Sequence, residues 1–284
     1  MYNVQFPYMR TFLIIIVILF ASYAQAQEKP IIDILLPLER MTNEYDIVST
    51  RQIEKSTTFA IGNINRLDTY LSQEEYNGTE FRFISDLYKI RLDIWDLNFT
   101  HEGAIDYTHN RVDNANTLAG HYDFAFSMLK AIEHRNKYSF HAGFMTDLYT
   151  GFAYNMRNTA NNPAQGYASL SIGGAIKAHY DLLIRHKILK INYEARLPFV
   201  GIMFSPAYGQ SYYELFNNGN YDNNIVMTSI AIPQYRHQLS IDYPINERTY
   251  IRIGYLGDYR QSKPNELKQH TYTNSFLIGF VLRK

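Results

Sequence analysis

The chain has 284 residues, of which 46% are hydrophobic and 19% charged, values that suit one or two ordinary globular domains. Its formal net charge is zero, and it has no basic cluster that could follow a phosphate backbone, so we expect no nucleic-acid partner. It has no cysteine, which excludes disulfides and a lipid-modified N-terminal cysteine. Tyr occurs 25 times and Phe 17 times, against one Trp, and Tyr suits a boundary between lipid and water.

The first 26 residues have the order of a signal peptide. Arg10 precedes an apolar run over residues 11–20, and Ala24-Gln25-Ala26 supplies a small-x-small cleavage site. We expect cleavage there and a mature chain that begins near Gln27; Met9 is an alternative start. The alternative to cleavage is a membrane anchor, but the apolar run is short beside the roughly 20 residues of a spanning helix.

Residues 27–54 begin apolar and then turn polar, without a clear strand pattern. We interpret them as a periplasmic N-terminal extension. No second long apolar run follows, so a membrane-bound mature chain must cross the bilayer as a closed sheet.

From residue 55 to residue 284, apolar and polar residues alternate over long segments. In residues 269–284, Phe276, Ile278 and Phe280 lie on one face, and the other face is polar or small. Long alternating segments favour a transmembrane antiparallel up-and-down β-barrel, an all-β fold. The predicted strands are ten: 55–66, 79–90, 96–109, 117–133, 138–157, 167–185, 188–204, 224–245, 249–261 and 269–284.

An even number of strands puts both termini on the periplasmic side. The strand over residues 224–245 changes parity at Pro233, which we interpret as a bulge. If that segment is two strands and residues 31–52 supply another, the barrel has twelve.

The connections alternate between longer or polar loops and tight turns, an asymmetry that outer-membrane barrels have. Longer or polar connections fall near residues 67–78, 110–116, 158–166, 205–223 and 262–268. Tight turns fall near residues 91–95, 134–137, 186–187 and 246–248.

Four stretches, over residues 67–81, 154–165, 201–216 and 270–280, resemble an uncharacterised family of exported outer-membrane barrels from Bacteroidetes-type bacteria. The resemblance covers roughly residues 55–284. It implies an outer-membrane barrel with no established activity and carries over no catalytic residue. The chain ends Leu282-Arg283-Lys284, without the terminal aromatic residue that often marks a barrel for assembly.

The face predicted to point inward carries charges of both signs, which need partners in a narrow lumen. We expect an ion-pair network that fills the barrel, with a narrow polar channel as the alternative. The predicted network residues are Arg82, Asp147, Arg157, Lys177, Asp181, Glu194, Arg196, Arg252 and Asp258.

An enzymatic alternative is a protease-like hydrolase at the outer rim. His121 and Asp123 share one strand face, and Asp106 ends the preceding strand, so two carboxylates could orient an imidazole and activate water. We predict no metal site and no cofactor, because the nine His residues are scattered.

The connection over residues 205–223 supplies binding candidates, since Tyr side chains stack on and hydrogen-bond to ligands. These candidates are Tyr208, Tyr212, Tyr213 and Tyr221; the alternative is a loop that packs over the barrel mouth. The main expectation is a structural or binding protein of the outer membrane that acts through its extracellular loops. Its expected partners are membrane lipid, the barrel-assembly machinery and an extracellular ligand or protein.

Overall fold

A computed structural model describes residues 51–91, 95–135, 137–156, 163–184, 186–219, 221 and 223–284. The predicted signal peptide, most of the N-terminal extension and Arg157 lie outside the described residues. The strands are β1 Arg51–Asp68, β2 Ser72–Arg91, β3 Asp96–Asn110, β4 Asn116–His134, β5 Tyr138–Asn155, β6 Ala164–Ile184, β7 Lys187–Phe204, β8 Ile225–Ser229, β9 Tyr235–Pro244, β10 Thr249–Ser262 and β11 Gln269–Arg283. A short helix, α1, covers Tyr212–Phe216, and a 3-10 helix covers Pro264–Glu266.

The strands close into an antiparallel barrel. The order of the sheet is β6-β5-β4-β3-β2-β1-β11-β10-β9-β7-β8, and the additional pairing of β6 with β7 closes the ring. Ten strands form this ring, and β8 is an eleventh that pairs with β7 beyond the end of β9. The prediction of a ten-stranded up-and-down barrel is confirmed.

Two predicted segments differ in detail from the structure. The predicted strand over residues 224–245 is interrupted: β8 pairs with Val200–Phe204, β9 pairs with Lys190–Arg196, and residues 230–234 lie between them. Pro233 lies in that interruption, because its nitrogen cannot donate to a ladder. The predicted connection over residues 67–78 is too long, since β2 begins at Ser72.

The barrel has two unlike ends. Its turn end, where β1 begins and β11 ends, carries the tight connections, whereas its loop end carries residues 205–224 with α1 and the connection 263–268. Which end faces the periplasm stays a prediction.

The barrel exterior is apolar in its middle, the reverse of a soluble protein. Phe59 is 59% exposed, Ile105 61% and Phe144 67%. Exposed Tyr residues border this belt on both sides, among them Tyr255 toward the loop end and Tyr243 toward the turn end. An apolar belt between two aromatic girdles is the surface of a membrane-spanning barrel. Among the described residues, no helix is long and apolar enough to cross a membrane.

The interior is largely polar, with two small apolar clusters on its walls. Ala60, Ile84, Leu256 and Leu277 form one cluster. The other consists of Tyr88, Leu129, Met145 and Ala175. The remaining lumen must be filled by polar side chains that satisfy one another.

Candidate functional site

Glu102 forms the centre of an ion-pair network in the middle of the lumen. Its carboxylate lies 3.0 Å from Arg82 Nη1, 2.5 Å from Arg196 Nη2 and 2.7 Å from Arg236 Nη2. Glu102 is on β3 and Arg236 is on β9, and four strands of the ring separate these two in either direction. The contact therefore crosses the whole lumen between opposite walls.

A second cross-lumen contact lies nearer the loop end. The guanidinium of Arg260, on β10, pairs with Asp123, on β4, which is again the opposite wall. The same guanidinium lies 3.3 Å from Asp258 and 3.7 Å from Asp147. Asp258 in turn accepts a 2.8 Å hydrogen bond from Arg82, which joins the two centres.

A separate cluster fills the turn end. Arg252 and Arg283 each pair with both Glu54 and Asp242, at distances from 2.5 to 2.8 Å. These four residues belong to β1, β9, β10 and β11, which are neighbours in the ring. The cluster therefore links β1 and β11, the first and last strands of the chain, which pair with each other in the ring.

Each predicted network residue that the structure describes takes part in an ion pair in the lumen. Besides the contacts above, Lys177 lies 2.8 Å from Glu194 and 3.4 Å from Asp86, and Asp181 lies 3.8 Å from Lys190. Arg157 falls outside the described residues.

Sequence reasoning missed several members of this network. The predicted network lacks Arg236 and Asp242, although the alternation of Leu239, Ile241 and Tyr243 turns both of them inward. Glu54 was assigned to the extension, and Arg283 was considered only as part of the terminus. If the alternation is extended beyond Pro233 and back along the chain to residue 51, it identifies all four of these residues as facing inward.

A cavity of about 80 Å³ lies between this network and the loop end. Arg66, Asp147 and Arg260 contribute to its charged part, and Tyr149 and Tyr167 contribute aromatic rings. Arg66 is held by Asp106 through two hydrogen bonds of 2.6 and 3.3 Å, and Tyr167 donates to Asp68 at 2.6 Å. The wall is therefore fixed by its own contacts, which makes the cavity preformed.

The three rim candidates for hydrolysis do not form one hydrogen-bonded set. Asp106 accepts from Arg66 with both oxygens, and Asp123 pairs with Arg260. The Nε2 atom of His121 is buried without a hydrogen-bond partner among the described residues, and its ring lies 5.1 Å from that of Tyr149. The hydrolase thus stays a prediction. It would require Asp106 and Asp123 to break their ion pairs with Arg66 and Arg260.

The four Tyr candidates of the long connection have different surroundings. Tyr212 begins α1, where its hydroxyl accepts from the Gly166 N–H at 2.6 Å and donates to Gln165 Oε1 at 2.9 Å. Burial raises the pKa of Tyr212 above its ordinary value, which keeps this donor protonated. Tyr208 and Tyr213 are 81% and 67% exposed, and Tyr221 is half-buried. Tyr212 therefore anchors the loop, and its exposed neighbours face solvent.

Further contacts hold the long connection over the barrel. Tyr70, in the β1–β2 turn, donates to the backbone oxygen of Gln210 at 2.8 Å. Asn224 donates to the Gln210 side chain at 2.7 Å, and Asn265 donates to the backbone oxygen of Asn223 at 2.9 Å. Three connections of the loop end are thereby bonded to one another.

Within the part of the chain that the structure describes, no group of three or more His, Asp or Glu side chains is placed to hold a metal ion. The cavity wall is instead a mixture of hydroxyl, amide, guanidinium and aromatic groups.

Comparison with solved structures finds other membrane barrels at very low identity. The outer membrane protease OmpT from Escherichia coli is 7% identical with a TM-score of 0.45, over 86% of this chain and 99% of that one. The translocator domain of the autotransporter NalP from Neisseria meningitidis is 8% identical with a TM-score of 0.41, over 93% and 96%. Neisserial surface protein A is 10% identical with a TM-score of 0.35, over 82% and 97%.

No curated protein matches the sequence. The family described as "Protein of unknown function (DUF3316)" matches residues 11–283, which is nearly the whole chain. The chain belongs to the DUF3316 family of proteins of unknown function.

Proposed function

We propose that this protein is a closed, non-conducting barrel of the outer membrane that acts as a structural or binding protein through its loop end. The observation that carries the proposal is the pair of contacts between opposite walls, Glu102 with Arg236 and Asp123 with Arg260. Side chains that meet across the full diameter obstruct the lumen and hinder the passage of an ion.

The burial of the network argues in the same direction. The side chains of Arg82, Glu102 and Arg196 are at most 2% exposed. Charges that line an open pore would be hydrated, whereas these are paired with each other. Removing one partner of such a buried pair costs about 3–5 kcal/mol, so the paired arrangement is strongly favoured over an open one.

The loop end offers the surface for a partner. Its connections are bonded to one another, which limits the conformational entropy that binding would remove. Tyr208 and Tyr213 project from this held loop and are the side chains that we expect a partner to contact. Tyr212 and Tyr221 support the loop from within.

Export to the outer membrane of a Gram-negative bacterium is part of the proposal, together with the cleaved signal peptide and the barrel-assembly machinery as a partner. Its support is the lipid-facing belt and the export pattern of residues 1–26. Fractionation of the producing cell tests it. Recovery in the outer membrane, with a gel mobility that changes on boiling, is expected; recovery in the soluble periplasmic fraction would overturn the membrane assignment. The Bacteroidetes origin stays a prediction.

Recordings in planar lipid bilayers test whether the barrel is closed. The purified protein is expected to give no current steps. A double variant, Glu102→Ala with Arg236→Ala, removes both partners of one cross-lumen contact and is expected to give small steps. Glu247→Ala, at an exposed turn position, serves as the control and stays silent. Current steps in the unmodified protein would exclude a closed barrel.

A further inference from the structure

We infer that the turn end of the lumen holds a nucleophilic serine, Ser139, which His141 and Asp96 activate for attack on small carboxylic esters. The inference goes beyond the proposed function, because it assigns a catalytic site to the end of the barrel opposite the loop end. The argument starts from the contacts of the Ser139 hydroxyl. Its Oγ atom lies 2.9 Å from Nε2 of His141 and 2.6 Å from Nδ1 of His179.

Three strands bring these groups together. Ser139 is the second residue of β5, and its partner in the strand register is His179 on β6. His141 follows Ser139 by two positions, so both side chains point into the lumen. Asp96 begins β3, which only β4 separates from β5 in the ring. The ends of these strands therefore place a hydroxyl, two imidazoles and a carboxylate in one cluster.

Asp96 holds the imidazole of His141. Oδ2 of Asp96 lies 2.6 Å from Nδ1 of His141, in a contact that is close but bent away from ideal hydrogen-bond angles. The carboxylate itself is fixed, because it accepts a 2.9 Å hydrogen bond from the Tyr88 hydroxyl and another from the backbone N–H of Arg91. A lone pair on Nδ1 would repel the carboxylate at this distance, so Nδ1 carries a proton.

The proton on Nδ1 of His141 decides where the Ser139 hydroxyl donates. When His141 is neutral, its Nε2 atom is an acceptor and receives the hydroxyl proton, while His179 donates from Nδ1 to Oγ. In this arrangement, a serine can lose its proton to a base that a carboxylate keeps in the correct tautomer. If His141 were a cation, the hydroxyl would donate to His179 instead, so it donates to an imidazole nitrogen in either state.

The cluster lies close to the mouth of the lumen. Ser139 and His141 are buried, whereas His179 and Lys190, on the adjacent strands β6 and β7, are only half-buried. A small ester could reach Oγ when these half-buried side chains turn aside. Lys190 is held at 3.8 Å from Asp181, and its positive charge at this mouth would favour the negative charge that develops on a carbonyl oxygen.

The step that we propose is acyl transfer to Ser139. Its Oγ atom forms a bond to the carbonyl carbon, and its proton passes to Nε2 of His141. The bond between that carbon and the alcohol oxygen breaks, and the alcohol leaves with the proton. Water then attacks the acylated serine, gives one proton to Nε2, and releases the acid as Oγ takes that proton back. One ester and one water become one acid and one alcohol.

Labelling of the purified full-length protein with a fluorophosphonate tests the inference. Oγ displaces fluoride from phosphorus only when the serine is nucleophilic, and its proton passes to His141. We expect mass spectrometry to find the adduct on Ser139, and we expect turnover of p-nitrophenyl acetate. Ser139→Ala should lose both, and His141→Gln should label about a hundredfold more slowly. Ser56→Ala removes another buried lumen hydroxyl, on β1, and should behave like the unmodified protein.

Asp96 acts through His141 and is a positioning residue. Asp96→Asn should slow labelling at least about tenfold, and Asp96→Glu, which keeps the carboxylate, should regain part of the rate. Each variant is first required to show heat-modifiable mobility, which separates a lost site from a lost fold. A folded protein without an adduct on Ser139, or with equal rates in His141→Gln, would overturn the inference. The bilayer recordings judge the closed barrel separately, because labelling does not depend on conductance.

Discussion

Replacing Glu102 by Gln tests whether the central network stabilises the barrel. The substitution keeps the shape of the side chain but removes its charge, so Arg82, Arg196 and Arg236 lose the carboxylate that they share. The new amide nitrogen also brings a donor toward groups that only donate. Three buried cations would then repel one another around a neutral side chain.

The size of the effect follows from the contacts that remain. Removing one partner of a buried ion pair costs about 3–5 kcal/mol. Arg82 keeps Glu80 at 2.9 Å and Asp258 at 2.8 Å, and Glu194 stays 3.5 Å from Arg236. The loss should therefore lie at the lower end, about 3 kcal/mol, which is roughly a hundredfold in the unfolding equilibrium.

Urea unfolding in detergent micelles measures this loss. Trp95, the single Trp, lies in the β2–β3 connection and reports the transition by its fluorescence. Glu247→Gln makes the same chemical change in an exposed turn and should leave the midpoint unchanged. A Glu102→Gln protein as stable as the Glu247→Gln control would show that the network carries little stability, and the reasoning from buried charge would be wrong.

Three further outcomes are expected. Leu256→Ala should lower the free energy of unfolding by about 2–5 kcal/mol in the same assay, because this side chain is fully buried in the lumen. Phe59→Arg places a charge in the lipid-facing belt and should cost about 2–4 kcal/mol, seen as less folded protein in the membrane fraction. Tyr212→Phe removes two hydrogen bonds that hold α1 and should speed protease cleavage within residues 205–219 about fivefold, whereas Tyr213→Phe should not.

Much of the fold could be predicted because each strand of a membrane barrel has an alternating pattern that is visible in the local sequence. Side chains alternate between lipid and lumen with a period of two, so the strands of residues 269–283 and 138–155 were visible without any tertiary information. The same rule failed at β2. Its first residues, such as Glu74 and Glu75, are polar and exposed, since they lie beyond the apolar belt, and the pattern there looks like a loop.

The partners within the lumen could not be predicted in the same way. Alternation shows that Asp123 points inward, but its partner Arg260 is 137 positions away and on the opposite wall. Which walls face each other depends on the number of strands and on the register of every pair around the ring. His121 and Asp123 are two positions apart on one strand, but the Asp123 carboxylate pairs with Arg260, which the local sequence could not indicate.

The pairing of charges across the lumen supports the proposed closed barrel. Lipid surrounds the apolar exterior in any case, so the interior must be filled by groups that satisfy one another. Around Glu102 residues from four strands pair their charges, although Nε and Nη1 of both Arg196 and Arg236 are buried without a hydrogen-bond partner among the described residues. Near the loop end, Nε2 of Gln269 is likewise buried without a hydrogen-bond partner in the part of the chain that the structure describes, beside a cavity. Gln269→Leu removes a buried amide whose only hydrogen bond among those residues is a 3.5 Å contact with Ser262, so it should raise the urea midpoint of the barrel in the same micelle assay; an unchanged or lower midpoint would show that the amide is not a cost to stability.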